Sequence, residues 1–124
     1  MTHETPDELR YTDSHEWIDD SGDALRIGIT DFAQDELGDV VFVELPAEGE
    51  SLDSGDACAV VESIKAVSDI YTPVTGTVTA TNDGVLDQPE LLNTDPYGEG
   101  WLFEIDGAVP DEALGATDYR EQIE

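Results

Sequence analysis

Lys65 is the only lysine in this chain of 124 residues, and it is the side chain best suited to covalent chemistry. The other three cations are Arg10, Arg26 and Arg120. An ammonium group can lose its proton and become a nucleophile, whereas a guanidinium cannot. A chain that keeps one lysine in mid-sequence and none elsewhere indicates a need for an amine there, although a surface lysine retained by chance gives the same count.

The neighbours of Lys65 separate two amine chemistries. A Schiff-base lysine must be desolvated in a pocket to free its amine. Here two strand-like runs, residues 57–62 and 66–71, flank Lys65 and predict a hairpin with the lysine at its exposed tip. Glu62 and Asp69 lie close in the sequence, and we expect such negative neighbours to favour the ammonium form over a free amine. We therefore interpret Lys65 as an attachment point that a second protein can reach on a stiff scaffold.

Other chemistries find little support. Cys58 is the only cysteine, so an intrachain disulfide is impossible, and with His3 and His15 it lacks the paired spacing of a zinc site. Its small apolar neighbours predict that Cys58 is a buried small hydrophobe, in keeping with a reducing cytosol. We find no nucleophile elbow, phosphate loop or metal quartet, so we expect neither catalysis nor a bound metal.

The charge balance restricts the partners. Thirty-one Asp and Glu residues oppose 4 Lys and Arg, for a formal net charge of −27. Nucleic acid and anionic membranes would be repelled. The acids are spread between apolar positions along the whole chain, which is typical of a solvated acidic coat in a salt-rich cytoplasm. Because salt screens self-repulsion, we predict a salt-dependent fold, and with no apolar signal segment we expect a cytoplasmic protein.

The elements that must position the lysine are mainly short strands. Alternating or β-branched runs predict strands over five further segments: 16–19, 24–30, 40–45, 78–81 and 101–105. Gly and Pro turns separate them, and residues 82–84 (Asn-Asp-Gly) are predicted as another turn. This pattern in a chain of one-domain length predicts an all-β sandwich or partial barrel, with Trp17 and Trp101 in its core.

Three short helices are also predicted. Thr30 or Asp31 caps a helix over 32–37, which Gly38 ends. Residues 89–93 form a second helix with proline in its first turn. The C-terminal segment reads as a helix over 111–114 and 117–123, broken at Gly115.

At Lys65 the sequence resembles a known family. Residues 61–71, Val-Glu-Ser-Ile-Lys-Ala-Val-Ser-Asp-Ile-Tyr, resemble the lipoylation segment of glycine cleavage H proteins, whose usual core is Glu-Ser-Val-Lys-Ala. Further segments resemble the same family in the same order: 11–17 with Ser-His-Glu-Trp, 29–34, 37–46, 73–76 and 89–101. The resemblance covers nearly everything from residue 11 to residue 105, and the acidic composition is similar to that of a halophilic archaeal member.

The resemblance implies a barrel-sandwich hybrid fold, like that of lipoyl and biotinyl domains, with short helices and a C-terminal helix. It implies a polar N-terminal arm over residues 1–9, a lipoyl-carrier domain over 10–106, and a C-terminal helical segment over 107–124 packed on that domain. We expect a monomer.

The resemblance also implies a function. Lipoate, amide-linked to Lys65 by a lipoate-attaching enzyme, would visit three enzymes in glycine catabolism and one-carbon metabolism. These are a glycine decarboxylase (P protein), an aminomethyltransferase (T protein) and a dihydrolipoyl dehydrogenase (L protein). The chain would carry the aminomethyl group and the dihydrolipoyl arm between them as a non-catalytic carrier, supplying effective concentration and protection.

Several polar residues match family positions with supporting roles. Ser14, Glu16 and Asp69 match positions associated with parking the loaded arm by charge-assisted hydrogen bonds. Glu62 is a candidate for recognition by the lipoate-attaching enzyme, and Glu36 falls where relatives carry a basic or polar residue. Each also has an ordinary explanation, because in so acidic a chain almost any segment offers a carboxylate.

Two other carriers remain open. A biotin carrier shares the fold and the tip lysine, but such domains typically flank that lysine with methionines, whereas Ile64 and Ala66 stand here. An H-like protein that only relays lipoate, without glycine cleavage, would have the same motifs.

Overall fold

Residues 4–123, which the computed structural model describes, form nine β-strands and four short helices. In chain order the elements are β1 (Arg10–Tyr11), β2 (Glu16–Asp19), β3 (Leu25–Ile29), α1 (Asp31–Leu37), β4 (Val40–Glu44), β5 (Ser51–Leu52), β6 (Ala57–Ser63), β7 (Val67–Tyr71), β8 (Gly76–Thr81), α2 (Asp83–Asp87), α3 (Leu91–Thr94), β9 (Phe103–Ile105) and α4 (Ala116–Ile123). The chain is thus mainly β, with short helices and a C-terminal helix, as predicted.

The strands form two antiparallel sheets. The larger sheet has the order β1-β2-β3-β9-β8-β5, and the smaller one the order β4-β6-β7. Their inner faces bury one apolar cluster that includes Ile27, Val43, Val61, Ile70 and Phe103. The alternation along β6, with Ala59 and Val61 buried between more exposed neighbours, follows from the two-residue period of a strand.

A second, smaller cluster lies at one edge of the larger sheet. It buries Leu9, Tyr11, Trp17, Ala116 and Tyr119. The rings of Tyr11 and Tyr119 stack with centroids 4.7 Å apart. This cluster fixes α4 on the β-domain, so the C-terminal helix is part of the folded body.

Helix α1 begins and ends where the sequence predicts. The Thr30 hydroxyl accepts a hydrogen bond from the Ala33 amide at 3.2 Å, and the amide of Gly38 donates to the Gln34 carbonyl at 3.0 Å. Gly38 has a φ of 81°, a conformation that glycine adopts more easily than other residues. The helix predicted over 89–93 is present as α3, shifted by one to two residues.

Two local predictions are wrong. Residues 82–84 do not form an isolated turn, because the Asn82 side chain accepts a hydrogen bond from the Gly84 amide and caps α2. The same residue types favour turns and helix caps, so the sequence alone does not separate them. Residues 111–114 are not helical; there Leu114 exchanges backbone hydrogen bonds with Tyr11 at 2.7 and 2.8 Å.

The two tryptophans differ in their surroundings. Trp17 is buried as predicted, and its indole N–H donates to the Pro96 carbonyl at 3.0 Å. Trp101 lies outside the ladder of β9 and is only half-buried. Its ring is covered by the guanidinium of Arg26 at 4.4 Å, which also bonds Glu104 at 2.9 Å. Trp101 therefore packs at the edge of the second cluster with a cation over its ring, rather than inside the core.

Cys58 is half-buried rather than fully buried. It packs against the main core, and its thiol donates to the Ile70 carbonyl at 3.4 Å. Burial raises the pKa of the thiol to about 12, so Cys58 is protonated at neutral pH.

Candidate functional site

Strands β6 and β7 form a hairpin whose tip contains Lys65. Glu62 pairs with Val67, and the Ser63 amide donates to the Ala66 carbonyl at 2.8 Å to close the turn. The Ser63 hydroxyl oxygen accepts hydrogen bonds from the Lys65 and Ala66 amides at 3.2 and 3.1 Å. Lys65 is exposed. Its backbone is therefore fixed by neighbours in the sequence while its side chain stays open to solvent.

The stem of Lys65 crosses the C-terminal end of α1. A Cβ atom placed on Gly38 would lie 3.4 Å from Cε of Lys65, and the Ile64 amide donates to the Asp39 carbonyl at 3.1 Å. Asn93 holds this segment from the other side, donating to the Gly38 carbonyl at 2.9 Å and accepting from the Val40 amide at 2.8 Å. The hairpin tip thus rests on the loop that ends α1.

Exposed apolar side chains surround the tip. Ile64 is 74% exposed, Val67 65% and Phe42 47%. Glu62 lies between Phe42 and Val67 in the register of the three-stranded sheet and is half-buried. An apolar surface on so acidic a chain is typical of a contact with another protein.

A buried carboxylate lies at the turn between β1 and β2. Glu16 is 2% exposed, and its Oε1 accepts hydrogen bonds from the hydroxyls of Thr12 and Ser14, both at 2.6 Å. Its Oε2 lies 3.5 Å from the Tyr71 amide. Because a buried carboxyl group needs hydrogen-bond partners, this cluster satisfies the Glu16 side chain inside the fold.

Two clefts meet at Ser14. The first, of about 300 Å³, is lined by Glu16 together with Thr12, Tyr71 and Glu112. The second, of about 260 Å³, lies between α1 and β7 and is lined by apolar side chains and two carboxylates: Ile29, Phe32, Leu37, Ile70, Glu36 and Asp69. Ser14 lines both clefts.

The three residues predicted to park the arm are therefore only partly brought together. Ser14 and Glu16 are directly hydrogen-bonded, whereas Asp69 lines the second cleft and not the first. Glu36 shares that cleft with Asp69, which sequence reasoning did not anticipate, because α1 and β7 are distant in the chain. The hydroxyl of Thr12 was also missed, although its position four residues before Glu16 in a turn is a usable signal.

These residues fit an acyl group on Lys65. Leu37 lines the second cleft and precedes Gly38, the residue beside the lysine stem, so the cleft lies next to the attachment point. Its apolar walls suit a hydrocarbon arm, and its carboxylates suit a cationic cargo.

Residues 4–123 contain neither a metal-binding cluster nor a membrane-spanning helix. Within this range no group of three or more His, Cys, Asp or Glu side chains is arranged to hold a metal ion. No helix in the same range has the length and apolar character needed to cross a bilayer. His3, one member of the weak zinc set, lies outside the described residues.

Comparisons with known proteins decide the family. A family model described as glycine cleavage H-protein matches residues 9–123. The chain belongs to the glycine cleavage H-protein family. Probable glycine cleavage system H proteins of Haloarcula marismortui and Halobacterium salinarum are 58% and 57% identical to it, over 100% and 99% of each chain.

A solved structure supports the same conclusion. The crystal structure of a glycine cleavage system H protein from Mycobacterium marinum superposes with a TM-score of 0.88 at 41% identity, covering 94% of this chain and 97% of that one. The predicted barrel-sandwich lipoyl fold is therefore confirmed. The similarity to proteins of halophilic archaea agrees with the acidic composition of this chain.

Proposed function

We propose that this chain is the lipoyl-bearing shuttle of the glycine cleavage system, with lipoate amide-linked to Lys65. It would carry the aminomethyl group from the P protein to the T protein and present the reduced arm to the L protein. The observation that carries the proposal is Lys65 itself: the only lysine of the chain, exposed at a hairpin tip that the Ser63 hydroxyl braces.

The chemistry divides between the bound group and the chain. When attached, the lipoyl group supplies a disulfide that can accept a one-carbon amine and two electrons. The chain's residues bind and shield. Ser14, Glu16, Asp69 and Glu36 offer oxygen acceptors to a cationic amine in the two clefts, and a charge-assisted hydrogen bond there is stronger than a neutral one. As a carrier, the chain leaves the bond-making steps to its partner enzymes.

Glu62 has a proposed role in modification. It lies beside Phe42 and Val67, close to the lysine and framed by exposed apolar side chains. A lipoate-attaching enzyme would cover this apolar surface and pair a basic group with the Glu62 carboxylate. That ion pair would align the enzyme on the hairpin, with Lys65 at its active site.

The surroundings proposed for the shuttle follow from its surface. The net charge of −27 and the single protonated thiol suit a monomer in a salt-rich, reducing cytoplasm. The division into an arm over 1–9, a carrier domain over 10–106 and a C-terminal segment over 107–124 stays a prediction; residues 1–3 and 124 lie outside the described part.

The decisive experiment moves the lysine. We would express the wild-type chain, Lys65→Arg and the double variant Lys65→Arg/Arg10→Lys in a halophilic host that makes lipoate, and measure intact mass and modified peptides. Arg10 is exposed on β1, so the double variant keeps both the total charge and one accessible amine. We expect a lipoyl adduct on Lys65 of the wild type and none on either variant.

Three results would contradict the proposal. A bare Lys65 in the wild type removes the carrier role, and a biotin-sized adduct selects a biotin carrier instead. An adduct on the lysine moved to position 10 would show that the hairpin tip is not what the attaching enzyme recognises.

Incubating the modified wild type with a purified P protein and glycine then tests cargo loading, and failure to load would favour a lipoate relay.

A further inference from the structure

We propose that His15 is a positioning residue for the cargo clefts, through which the C-terminal helix α4 fixes the Ser14–Glu16 pair. The consequence for cargo rests on the proposed function, whereas the structural coupling does not.

The backbone at His15 is the first observation. His15 has a φ of 71°, and within residues 4–123 it is the only non-glycine residue with a positive φ. Its amide donates to the Thr12 carbonyl at 3.1 Å, and the Thr12 amide donates to the Glu16 carbonyl at 3.0 Å, so His15 occupies the left-handed position of a tight turn. Glycine or asparagine adopts this conformation more easily. A strained histidine there points to a use for its side chain.

The side chain of His15 reaches across the molecule. Its Nδ1 lies 2.8 Å from the hydroxyl of Tyr119, 104 residues further along the chain. The same hydroxyl lies 2.7 Å from the Thr30 hydroxyl, which caps α1. The imidazole also packs against the Phe32 ring at 4.8 Å between centroids. One buried tyrosine therefore joins α4, the β1–β2 turn and the start of α1.

Two proton arrangements satisfy these groups with a neutral ring. Either the Thr30 hydroxyl donates to the Tyr119 oxygen and the Tyr119 hydroxyl donates to Nδ1 of His15, or Nδ1–H donates to the Tyr119 oxygen and the Tyr119 hydroxyl donates to the Thr30 oxygen. Burial lowers the pKa of His15 and favours this neutral ring, against the opposing effect of the carboxylates of Glu16, Glu36 and Asp13.

Because His15 lies between Ser14 and Glu16, its hydrogen bond to Tyr119 also fixes the positions of these two neighbours. Its imidazole lines the second cleft, while Ser14 and Glu16 on either side donate and accept the 2.6 Å hydrogen bond beside the first. If the imidazole is released, the left-handed turn can relax, and the buried carboxylate loses its fixed place relative to both clefts. A cargo amine would then be less shielded from water.

The test compares two stacked tyrosines. Tyr119→Phe and Tyr11→Phe each remove one hydroxyl from the same buried cluster, but the Tyr11 hydroxyl donates to the Pro6 carbonyl at 2.6 Å and does not contact His15. The first readout is hydrogen exchange of the Glu16 amide in unmodified protein. One lost hydrogen bond of about 1.4 kcal/mol corresponds to about tenfold, and we expect exchange to be faster by that order in Tyr119→Phe only.

Two substitutions of His15 separate the side chain from the backbone. Glycine and asparagine both fit the left-handed turn, but only the asparagine amide has a polar atom where Nδ1 stands. We expect His15→Asn to keep exchange near the wild-type rate and His15→Gly to match Tyr119→Phe. In the His15→Gly background, adding Tyr119→Phe should change nothing further. Equal behaviour of the two His15 variants, equal behaviour of the two tyrosine variants, or additive effects in the double variant would overturn the proposal.

The second readout is the rate at which cargo is lost from the loaded, lipoylated protein. We expect Tyr119→Phe and His15→Gly to lose the aminomethyl group several-fold faster than Tyr11→Phe, by hydrolysis to a free thiol, formaldehyde and ammonia, with Glu16→Gln as the reference for a damaged site. Unchanged retention in both would overturn the link to cargo. If the wild type never loads, the proposed function fails, and the exchange measurement still decides whether α4 positions the turn.

Discussion

The hairpin tip and the Thr12–Glu16 turn differ in the exposure of their functional side chains and in the contacts that support them. The tip is closed by near neighbours, with the Ser63 hydroxyl accepting from the amides of Lys65 and Ala66, and it rests on the end of α1 through the Ile64–Asp39 hydrogen bond. The turn is also held by Tyr119, which lies 104 residues later in the chain and forms a hydrogen bond with His15. A group that partners must reach stays open to solvent above its supports, whereas a buried carboxylate needs walls from several parts of the chain.

Their burial differs in the same sense. Lys65 is exposed among exposed apolar side chains, and a partner must remove water from them. Glu16 is buried from solvent within the chain itself, and the hydroxyls of Thr12 and Ser14 donate hydrogen bonds to its carboxyl group. The tip is therefore suited to transient contact, and the turn to keeping a carboxyl group in a fixed place within the fold.

The largest effect we expect comes from removing salt. The turn lies in an acidic part of the molecule: Asp7 and Glu8 are near Tyr11, and Asp13 is near His15. These carboxylates repel one another when the segments that carry them pack together. Screening by salt relieves this repulsion. The tip depends less on screening because its turn is held by hydrogen bonds between uncharged groups, from the Lys65 and Ala66 amides to the Ser63 hydroxyl. As KCl falls from molar concentrations, we expect amide protection to disappear first in the turn and α4, then in β6 and β7, and finally the circular dichroism signal to collapse.

Two outcomes would break this contrast. A native spectrum with full stability in dilute buffer would remove the salt dependence altogether. Identical KCl midpoints for the turn and the hairpin would show one cooperative unit, so the two regions would not differ in electrostatic strain.

A smaller effect separates backbone strain from contact with the lysine. Gly38 and Gly49 both have left-handed φ values, 81° and 87°, but a Cβ on Gly38 meets Lys65 whereas one on Gly49 meets nothing within 4 Å. Either Gly→Ala change should lower the free energy of unfolding in urea by about 1–2 kcal/mol. Only Gly38→Ala should also slow lipoylation of Lys65 by an attaching enzyme, since its methyl group lies against the lysine stem. Equal lipoylation rates for the two variants would show that this approach is unimportant.

The same contrast explains what the sequence could predict. The hairpin at Lys65 follows from two strand-like runs around a turn, and α1 follows from Thr30 and Gly38, because all of these signals lie within a few residues. The fold class follows from many such short elements. The turn could be predicted only as a motif, since the role of Tyr119 depends on where α4 docks.

Errors in the prediction have the same cause. Asn82 was expected in a turn and instead caps α2, because its choice depends on the residues that α2 packs against. The segment at 111–114 was expected to be helical, but Leu114 pairs with Tyr11 across 103 residues of chain, since its backbone groups find a strand edge there. Asp69 and Glu36 share a cleft for a similar reason: α1 and β7 meet only in the folded protein.

The smallest effect we expect is the pH dependence of the turn. The pKa of His15 is lowered from its ordinary 6.5, chiefly by burial, so the unfolded chain binds a proton that the folded chain resists. Stability from this group is complete above pH 6.5 and is lost as pH falls below it, with a slope of at most about 1.4 kcal/mol per pH unit. Subtracting the unfolding free energies of His15→Asn from those of the wild type at constant KCl cancels the many carboxylates common to both. The difference should fall as the solution is acidified from neutral pH; a flat or rising difference would mean that the fold does not hold the imidazole neutral.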